Sequence, residues 1–97
     1  MLPLPLVAAV FLQDPERYMS SFEVETEVHR LISKIRKKGA PVYVPKRSRA
    51  QMILNTLNML KIRRLVEVSD NSFRADPAAG DVLSYYANSV THWLKQE

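Results

Sequence analysis

An uncharged run of eleven residues near the start of the chain, LPLPLVAAVFL, limits what this sequence can fold into. A helix that spans a bilayer needs about 20 apolar residues, so the run is too short for one. A signal peptide would begin with positive charge, but no charge precedes this run and QDPERY follows it. Pro3 and Pro5 suit the start of a helix, and Asp14-Pro15 suits its end. The run therefore predicts a buried first helix, with a membrane-directed segment as the alternative.

Composition is typical of one small folded domain, which we expect to cover residues 1–97. Hydrophobic residues make up 46% of the chain and charged residues 25%, which does not fit a disordered protein. The absence of cysteine excludes disulfides and a cysteine zinc site, and it fits the reducing cytoplasm. A net charge of +4 permits binding to phosphates, anionic lipid or nucleic acid without selecting among them.

The middle of the chain predicts two amphipathic helices. The segment SSFE has the pattern of a capping box, with Ser20 at the cap and Glu23 three residues later. Gly39 suits the left-handed end of this second helix, and Ser48 is a candidate cap for a third. Apolar residues at three- and four-residue intervals predict the inward faces, which are Val24, Val28, Leu31, Ile32 and Ile35 in the second helix and Ile53, Leu54, Leu57 and Leu60 in the third.

A β-hairpin and a closing helix complete the predicted fold. Apolar and polar residues alternate in RLVEVSDNSFRADP, and Asp70-Asn71 in its middle can form a two-residue turn. Asp76 and Pro77 suit the start of the last helix, whose predicted apolar stripe is Val82, Leu83, Tyr86, Val90, Trp93 and Leu94. Three helices, a hairpin and a closing helix predict a mainly helical α+β domain that is winged-helix-like, with the hairpin as its wing.

Basic residues form the first candidate site. In a winged helix the third helix often enters the major groove of DNA, and its first residues meet bases or phosphate. The segment KRSR lies at the start of this helix, and KIRR (Lys61 to Arg64) together with Arg74 on the hairpin could extend the basic surface to a phosphate backbone. The candidates for binding phosphate or an anionic surface are Lys46, Arg47, Arg49, Arg64 and Arg74. Three interpretations remain open: these residues form a solvated basic rim, they contact phosphate or anionic lipid headgroups, or they bind DNA sequence-specifically.

No catalytic or metal-binding arrangement is predicted. His29 and His92 are the only histidines, and His29 follows Glu25 by four residues, which resembles a surface pair. Two histidines in separate helices do not define a metal site, and two glycines are too few for a phosphate-binding loop. We therefore expect no catalytic site, no metal and no cofactor in this chain.

The closing helix carries the second candidate site. On a helix, Tyr85, Asn88, Ser89 and His92 share one face through spacings of three, four and seven residues. A solvated face would normally carry lysine and glutamate, whereas tyrosine, asparagine and histidine suit a partly buried contact. This face predicts an interface with another protein, with plain surface as the alternative.

The segment LSYYANSVTHWL also resembles a signature found late in the glycerol-3-phosphate acyltransferases of bacterial membrane-lipid synthesis. Their pattern reads Tyr-Tyr-x-Asn-(Asn or Ser)-x-x-His-hydrophobic. This chain supplies Tyr85, Tyr86, Asn88, Ser89, His92, Trp93 and Leu94 to it. The family's His-x4-Asp pair is missing, because Lys34 follows His29 and Glu97 follows His92 at that distance. The family's glycine block is missing too. The resemblance therefore implies the C-terminal region that follows the catalytic domain, without the acyl-transfer machinery.

This reading predicts a non-catalytic accessory domain in phospholipid biosynthesis. Its expected partners are the acyltransferase catalytic domain, or a similar protein, and an anionic membrane surface. We expect a cytoplasmic location, peripheral at the inner membrane. The alternatives are a winged-helix transcriptional regulator that binds DNA and a protein-interaction or dimerisation domain. The residues do not indicate an oligomeric state.

Overall fold

A computed structural model describes residues 3–39 and 48–94, and these residues form a mainly helical α+β domain, as predicted. The predicted link at residues 40–45 lies outside the described residues. In chain order the elements are α1 (Pro3–Gln13), β1 (Met19–Ser20), α2 (Ser21–Lys37), α3 (Arg49–Ile62), β2 (Val66–Ser69), β3 (Ser72–Ala75), a 3₁₀ turn (Pro77–Ala79) and α4 (Gly80–Leu94).

Helix α1 is the centre of the core, which confirms the predicted buried first helix. Every side chain from Leu6 to Phe11 is buried, because α4, α2 and α3 all pack against it. A helix that is apolar on all sides can be stable only when neighbours surround it. None of the described helices has the length and apolar character needed to cross a membrane.

Helix α2 begins and ends with the predicted caps. The Ser20 hydroxyl accepts a hydrogen bond from the Glu23 backbone N–H, and Glu23 accepts one from the Ser20 N–H, both at 3.1 Å. At the other end, Gly39 adopts a φ of 91° and its N–H donates to the Arg36 carbonyl. The inward face is the predicted one, with Val24, Val28, Leu31, Ile32 and Ile35 buried.

The predicted hairpin is confirmed, and a third short strand joins it. Strands β2 and β3 pair antiparallel from Val66 with Ala75 to Ser69 with Ser72. Asp70 and Asn71 make the turn with φ values of 47° and 60°, which these two residue types tolerate well. Strand β1 pairs with the free side of β3, so the sheet order is β1-β3-β2.

Helix α3 differs from the prediction at its start and on one side. The Ser48 side chain makes no capping hydrogen bond to the backbone and lies 3.5 Å from the Met52 sulfur instead. Ile53, Leu57 and Leu60 face the core as predicted, but Leu54 is 44% exposed. The predicted inward face was therefore one residue too wide.

Helix α4 starts after the 3₁₀ turn, where the Asp76 carboxylate accepts a hydrogen bond from the Ala78 N–H at 2.8 Å. Its buried side consists of Leu83, Ala87 and Val90. Val82 was predicted to face inward but is exposed. Tyr86, Trp93 and Leu94 are half-buried against the core, as the predicted stripe requires.

Candidate interaction surfaces

The structure brings the four predicted interface residues of α4 together on one exposed side. Tyr85 is 79% exposed, and Asn88, Ser89 and His92 are exposed on the same side of the helix. The helix turns its apolar residues toward α1, so these polar and aromatic residues must face outward. Their use as an interface stays a prediction, and we call them the α4 outer face.

The α4 outer face has almost no charge. In the whole of α4, Gly80–Leu94, Asp81 in the first turn is the only Asp, Glu, Lys or Arg. The exposed side chain of Val82 adds an apolar group beside it. The ring of Tyr85 meets the ring of Tyr86 edge-on, with centroids 6.0 Å apart. When a face contacts another protein, the free-energy cost of desolvation is lower for neutral aromatic and amide groups than for charged groups.

Two cationic side chains from other helices hold α4 in position. The Lys38 Nζ donates to the Leu94 carbonyl oxygen at 3.1 Å, at the carboxyl end of α4. The Arg63 Nη1 donates to the Tyr86 hydroxyl at 3.2 Å, two turns earlier. Side chains at the ends of α2 and α3 therefore both contact α4.

The predicted basic residues lie in different surroundings. Lys46 and Arg47 fall outside the described residues. Arg49 is only 3% exposed, and its Nη1 donates to the His29 Nδ1 at 2.6 Å. The guanidinium is always a donor, so Nδ1 must be the acceptor. The burial of Arg49 does not favour contact with an anionic surface.

His29 also approaches the residue that sequence spacing paired with it. Its Nε2 lies 3.7 Å from a Glu25 carboxylate oxygen, so Glu25, His29 and Arg49 form one row from α2 to the start of α3. Such a row fixes how the two helices meet. Spacing alone could not reveal the Arg49 contact, since the two residues lie 20 positions apart.

Arg74 is engaged within the sheet. Its Nε and Nη2 both lie 2.8 Å from the same Glu67 oxygen, and its guanidinium lies 5.0 Å from the centroid of the Tyr18 ring. The hydrogen bond with Glu67 raises the pKa of Arg74 above its ordinary value. The Glu67 carboxylate therefore offsets the charge that Arg74 could offer to an anionic surface.

Arg64 is exposed and lies just after α3 with a φ of 59°. The N–H of Leu65 donates to the Leu60 carbonyl at 2.8 Å, and the N–H of Arg64 donates to the Lys61 carbonyl at 3.0 Å. This is a Schellman motif, in which the left-handed position is usually glycine. Of the three predicted basic residues that the structure describes, Arg64 is thus the exposed one.

Acidic and basic residues are segregated along the chain, which the local motifs did not reveal. Between residues 28 and 66 there is no Asp or Glu, and this stretch holds eleven of the 14 Lys and Arg residues. The other three cations and all ten acidic residues lie before or after it. Such asymmetry is typical of chains that meet a polyanion. Counting acidic residues along the chain would have found this signal.

Two acidic residues of α2 are paired with arginines. Arg17 lies 3.0 Å from Glu23 and 4.0 Å from Glu27, and Arg30 lies 3.1 Å from Glu27. With Phe22 and Thr26 these residues line an open cleft of about 270 Å³. Among the described residues no cluster of His, Asp and Glu could hold a metal ion.

Comparison with known proteins gives one match. The model of a family described as the glycerol-3-phosphate acyltransferase C-terminal region matches residues 1–97. No curated protein and no solved structure matches the chain significantly.

Proposed function

The chain belongs to the family of glycerol-3-phosphate acyltransferase C-terminal regions, and on that premise we propose that it is a non-catalytic accessory domain in phospholipid biosynthesis. The side chains that could act in catalysis support this proposal. The Nδ1 of His29 accepts a hydrogen bond from Arg49, and His92 lies on another helix with its ring edge-on to Trp93. Neither histidine has an aspartate five positions further on, as the His-x4-Asp pair would require.

The α4 outer face is the proposed docking surface for the catalytic domain of the acyltransferase. The observation that carries this proposal is the nearly uncharged and exposed row of Tyr85, Asn88, Ser89 and His92. Tyrosine is enriched at the centres of protein interfaces, where a large rigid ring excludes water from nearby hydrogen bonds. Asparagine and histidine can then form directed hydrogen bonds with the partner.

Association with the catalytic domain tests this proposal. We expect the double variant Asn88→Ala with His92→Ala to weaken binding by about tenfold or more, because interface residues of this kind often contribute over 1 kcal/mol. The measurement is titration calorimetry between the chain and the separately purified catalytic domain of a family member. Melting of the variant should be unchanged, because both side chains are exposed.

Asn58→Ala is the matched control, because Asn58 is an exposed amide on a different helix, α3. Its affinity for the catalytic domain should equal that of the unchanged chain. Equal affinity of the double variant would contradict the docking proposal. Transfer of an acyl group to glycerol 3-phosphate by the purified chain would contradict the non-catalytic role.

A winged-helix-like arrangement is the finer proposal for the fold, and it brings a second candidate function. The order α1-β1-α2-α3-β2-β3 with a three-stranded sheet supports it. In such a domain α3 would face DNA, and its exposed side carries Gln51, Asn55 and Asn58 without any acidic residue. Amide side chains can read adenine in the major groove. Binding of duplex DNA that weakens steeply with salt would favour this regulator function.

A dimerisation domain is the third candidate, since the α4 outer face could also meet a second copy of itself. Concentration-dependent self-association that the Asn88 and His92 variants abolish would favour it.

For the accessory role we propose a cytoplasmic location at the surface of the inner membrane. The lysine and arginine residues between positions 28 and 66 support this location, because they would be attracted to anionic lipid.

A further inference from the structure

The last turn of α3 and its cap form a short exposed projection, which we call the α3 apex and define as residues 61–64. Lys61, Ile62, Arg63 and Arg64 are all exposed, and the Ile62 side chain is exposed to 79%. Leu60 before it and Leu65 after it are buried in the core. The apex is therefore anchored on both sides while the side chains of Lys61, Ile62 and Arg64 are exposed to solvent and Arg63 donates to the Tyr86 hydroxyl.

An isoleucine that is so exposed needs an explanation. Ile62 lies between Lys61 and Arg63, so the apex combines one large apolar side chain with three cations. Amphipathic helices that bind membrane surfaces combine the same two elements, apolar groups that enter the interface and cations that meet anionic headgroups.

The backbone at Arg64 points to a role for its side chain. At a φ of 59° glycine is favoured, because a β-carbon crowds the backbone there. An arginine at this position stabilises the cap less than glycine would. The geometry of the cap therefore does not account for an arginine at this position.

Charges in the apex are available to a partner. Glu23, Glu27 and Glu67 form their ion pairs with arginines outside the apex. Within the apex, Arg63 donates to the Tyr86 hydroxyl. The apex also ends the stretch of residues 28–66 that contains no Asp or Glu. A negatively charged surface would therefore meet little repulsion here.

We propose that the α3 apex binds the surface of an anionic lipid bilayer, with Ile62 entering the interface and Lys61 and Arg64 meeting lipid phosphates. This deepens the proposed function, on which it rests for the presence of a bilayer. A bilayer fits better than duplex DNA, because a DNA backbone offers no apolar partner for Ile62. Arg49, at the end of α3 that usually reads bases, is buried.

Co-sedimentation with vesicles tests this proposal on the 97-residue chain. We expect binding to vesicles of equimolar phosphatidylglycerol and phosphatidylcholine, weakening as salt rises, and little binding to pure phosphatidylcholine. Ile62→Ser should weaken binding by about tenfold through the lost apolar contact. Arg64→Gly should weaken it by about fivefold, the effect of one cation near an anionic surface.

Melting of Arg64→Gly separates this role from a structural one. The variant should melt at the same or a higher temperature than the unchanged chain, since glycine suits the left-handed cap. Weaker vesicle binding together with a more stable fold cannot come from unfolding. A clear loss of stability would show that Arg64 supports the fold, and it would overturn this part of the argument.

Two matched variants serve as controls. Phe22→Ser removes an apolar side chain that is 75% exposed but lies among the acidic residues of α2. Arg17→Gln removes one positive charge from an ion pair with Glu23. Neither should change vesicle binding. Equal losses in the controls and in the apex variants would overturn the proposal, because binding would then depend on total charge or apolarity alone.

The outcomes also separate this proposal from the docking proposal. Asn88→Ala with His92→Ala should leave vesicle binding unchanged, and Ile62→Ser should leave binding to the catalytic domain unchanged. Equal binding to both kinds of vesicle would overturn the apex proposal alone. So would tight binding to duplex DNA without binding to anionic vesicles.

Discussion

Glu23 accepts two hydrogen bonds at the start of α2, from the backbone N–H of Ser20 at 3.1 Å and from Arg17 at 3.0 Å. The Ser20 N–H, and after it Arg17, hold the pKa of Glu23 below its usual value of 4.5. A carboxylate with a lowered pKa in the folded state stabilises the fold above its unfolded pKa. It loses that contribution as the pH falls through its folded pKa.

Below about pH 4.5, we therefore expect the free energy of unfolding to decrease less in Glu23→Gln than in the unchanged chain. The side-chain oxygen of glutamine can still accept the Ser20 hydrogen bond, but it does not titrate. Ser20→Ala is the contrasting variant, because it should lower the free energy of unfolding by about 1 kcal/mol at every pH. Urea unfolding at a series of pH values measures both. A pH profile of Glu23→Gln that matches the unchanged chain would contradict this assignment.

Single residues also show what could be predicted from the sequence. The roles of Ser20, Glu23 and Gly39 follow from local rules, because a cap involves only neighbours within a few residues. The placement of Arg49 does not follow, because its contact with His29 depends on how two helices cross. A basic residue near a helix start suggests a surface group, and only the packed structure reveals it as buried.

Among the elements, α1 contributes most to the core. Its side chains from Leu6 to Phe11 are buried against three other helices. Leu6→Ala should lower the free energy of unfolding by about 3 kcal/mol, through lost apolar contact and the cavity that remains. Leu54→Ala is the matched control, and it should cost about 0.5 kcal/mol because Leu54 is 44% exposed. Urea unfolding measures both changes, and equal losses would show that α1 is not the central element.

The elements differ in how well their sequence predicts them. The hairpin and the helices were predicted because each has a clear period and clear turn residues. The inward faces were less well predicted, since Leu54 and Val82 are exposed and the small residue Ala87 is buried. Position around the helix decides burial here more than residue type does. Strand β1 was missed because two residues are too few to show alternation.

At the scale of the whole molecule, α1 and α4 depend on each other. The two helices pack along much of their length, so α1 without α4 would expose a large apolar surface to water. We expect a chain that lacks residues 77–97 to lose its cooperative thermal unfolding, as followed by circular dichroism. A peptide of those residues should restore it when added separately. Cooperative melting of the shortened chain near the original temperature would contradict this view of the core.

The whole-molecule scale is also where function was hardest to predict. The resemblance of LSYYANSVTHWL to the acyltransferases indicated the family, and the match of residues 1–97 confirms it. The segment KIRR of the α3 apex was predicted only as an extension of a basic surface, and the part of Ile62 in it was not recognised. The shared exposure of these four residues becomes visible only when Leu60 and Leu65 are seen to be buried on either side.

The hydrogen bond from Arg63 to Tyr86 joins the α3 apex to the helix that carries the α4 outer face. Helices α3 and α4 also both pack on α1, so the two proposed contacts are connected through the core as well. A catalytic domain docked on α4 would then stand at a set height above the lipid, and this domain would act as a spacer between the enzyme and its bilayer.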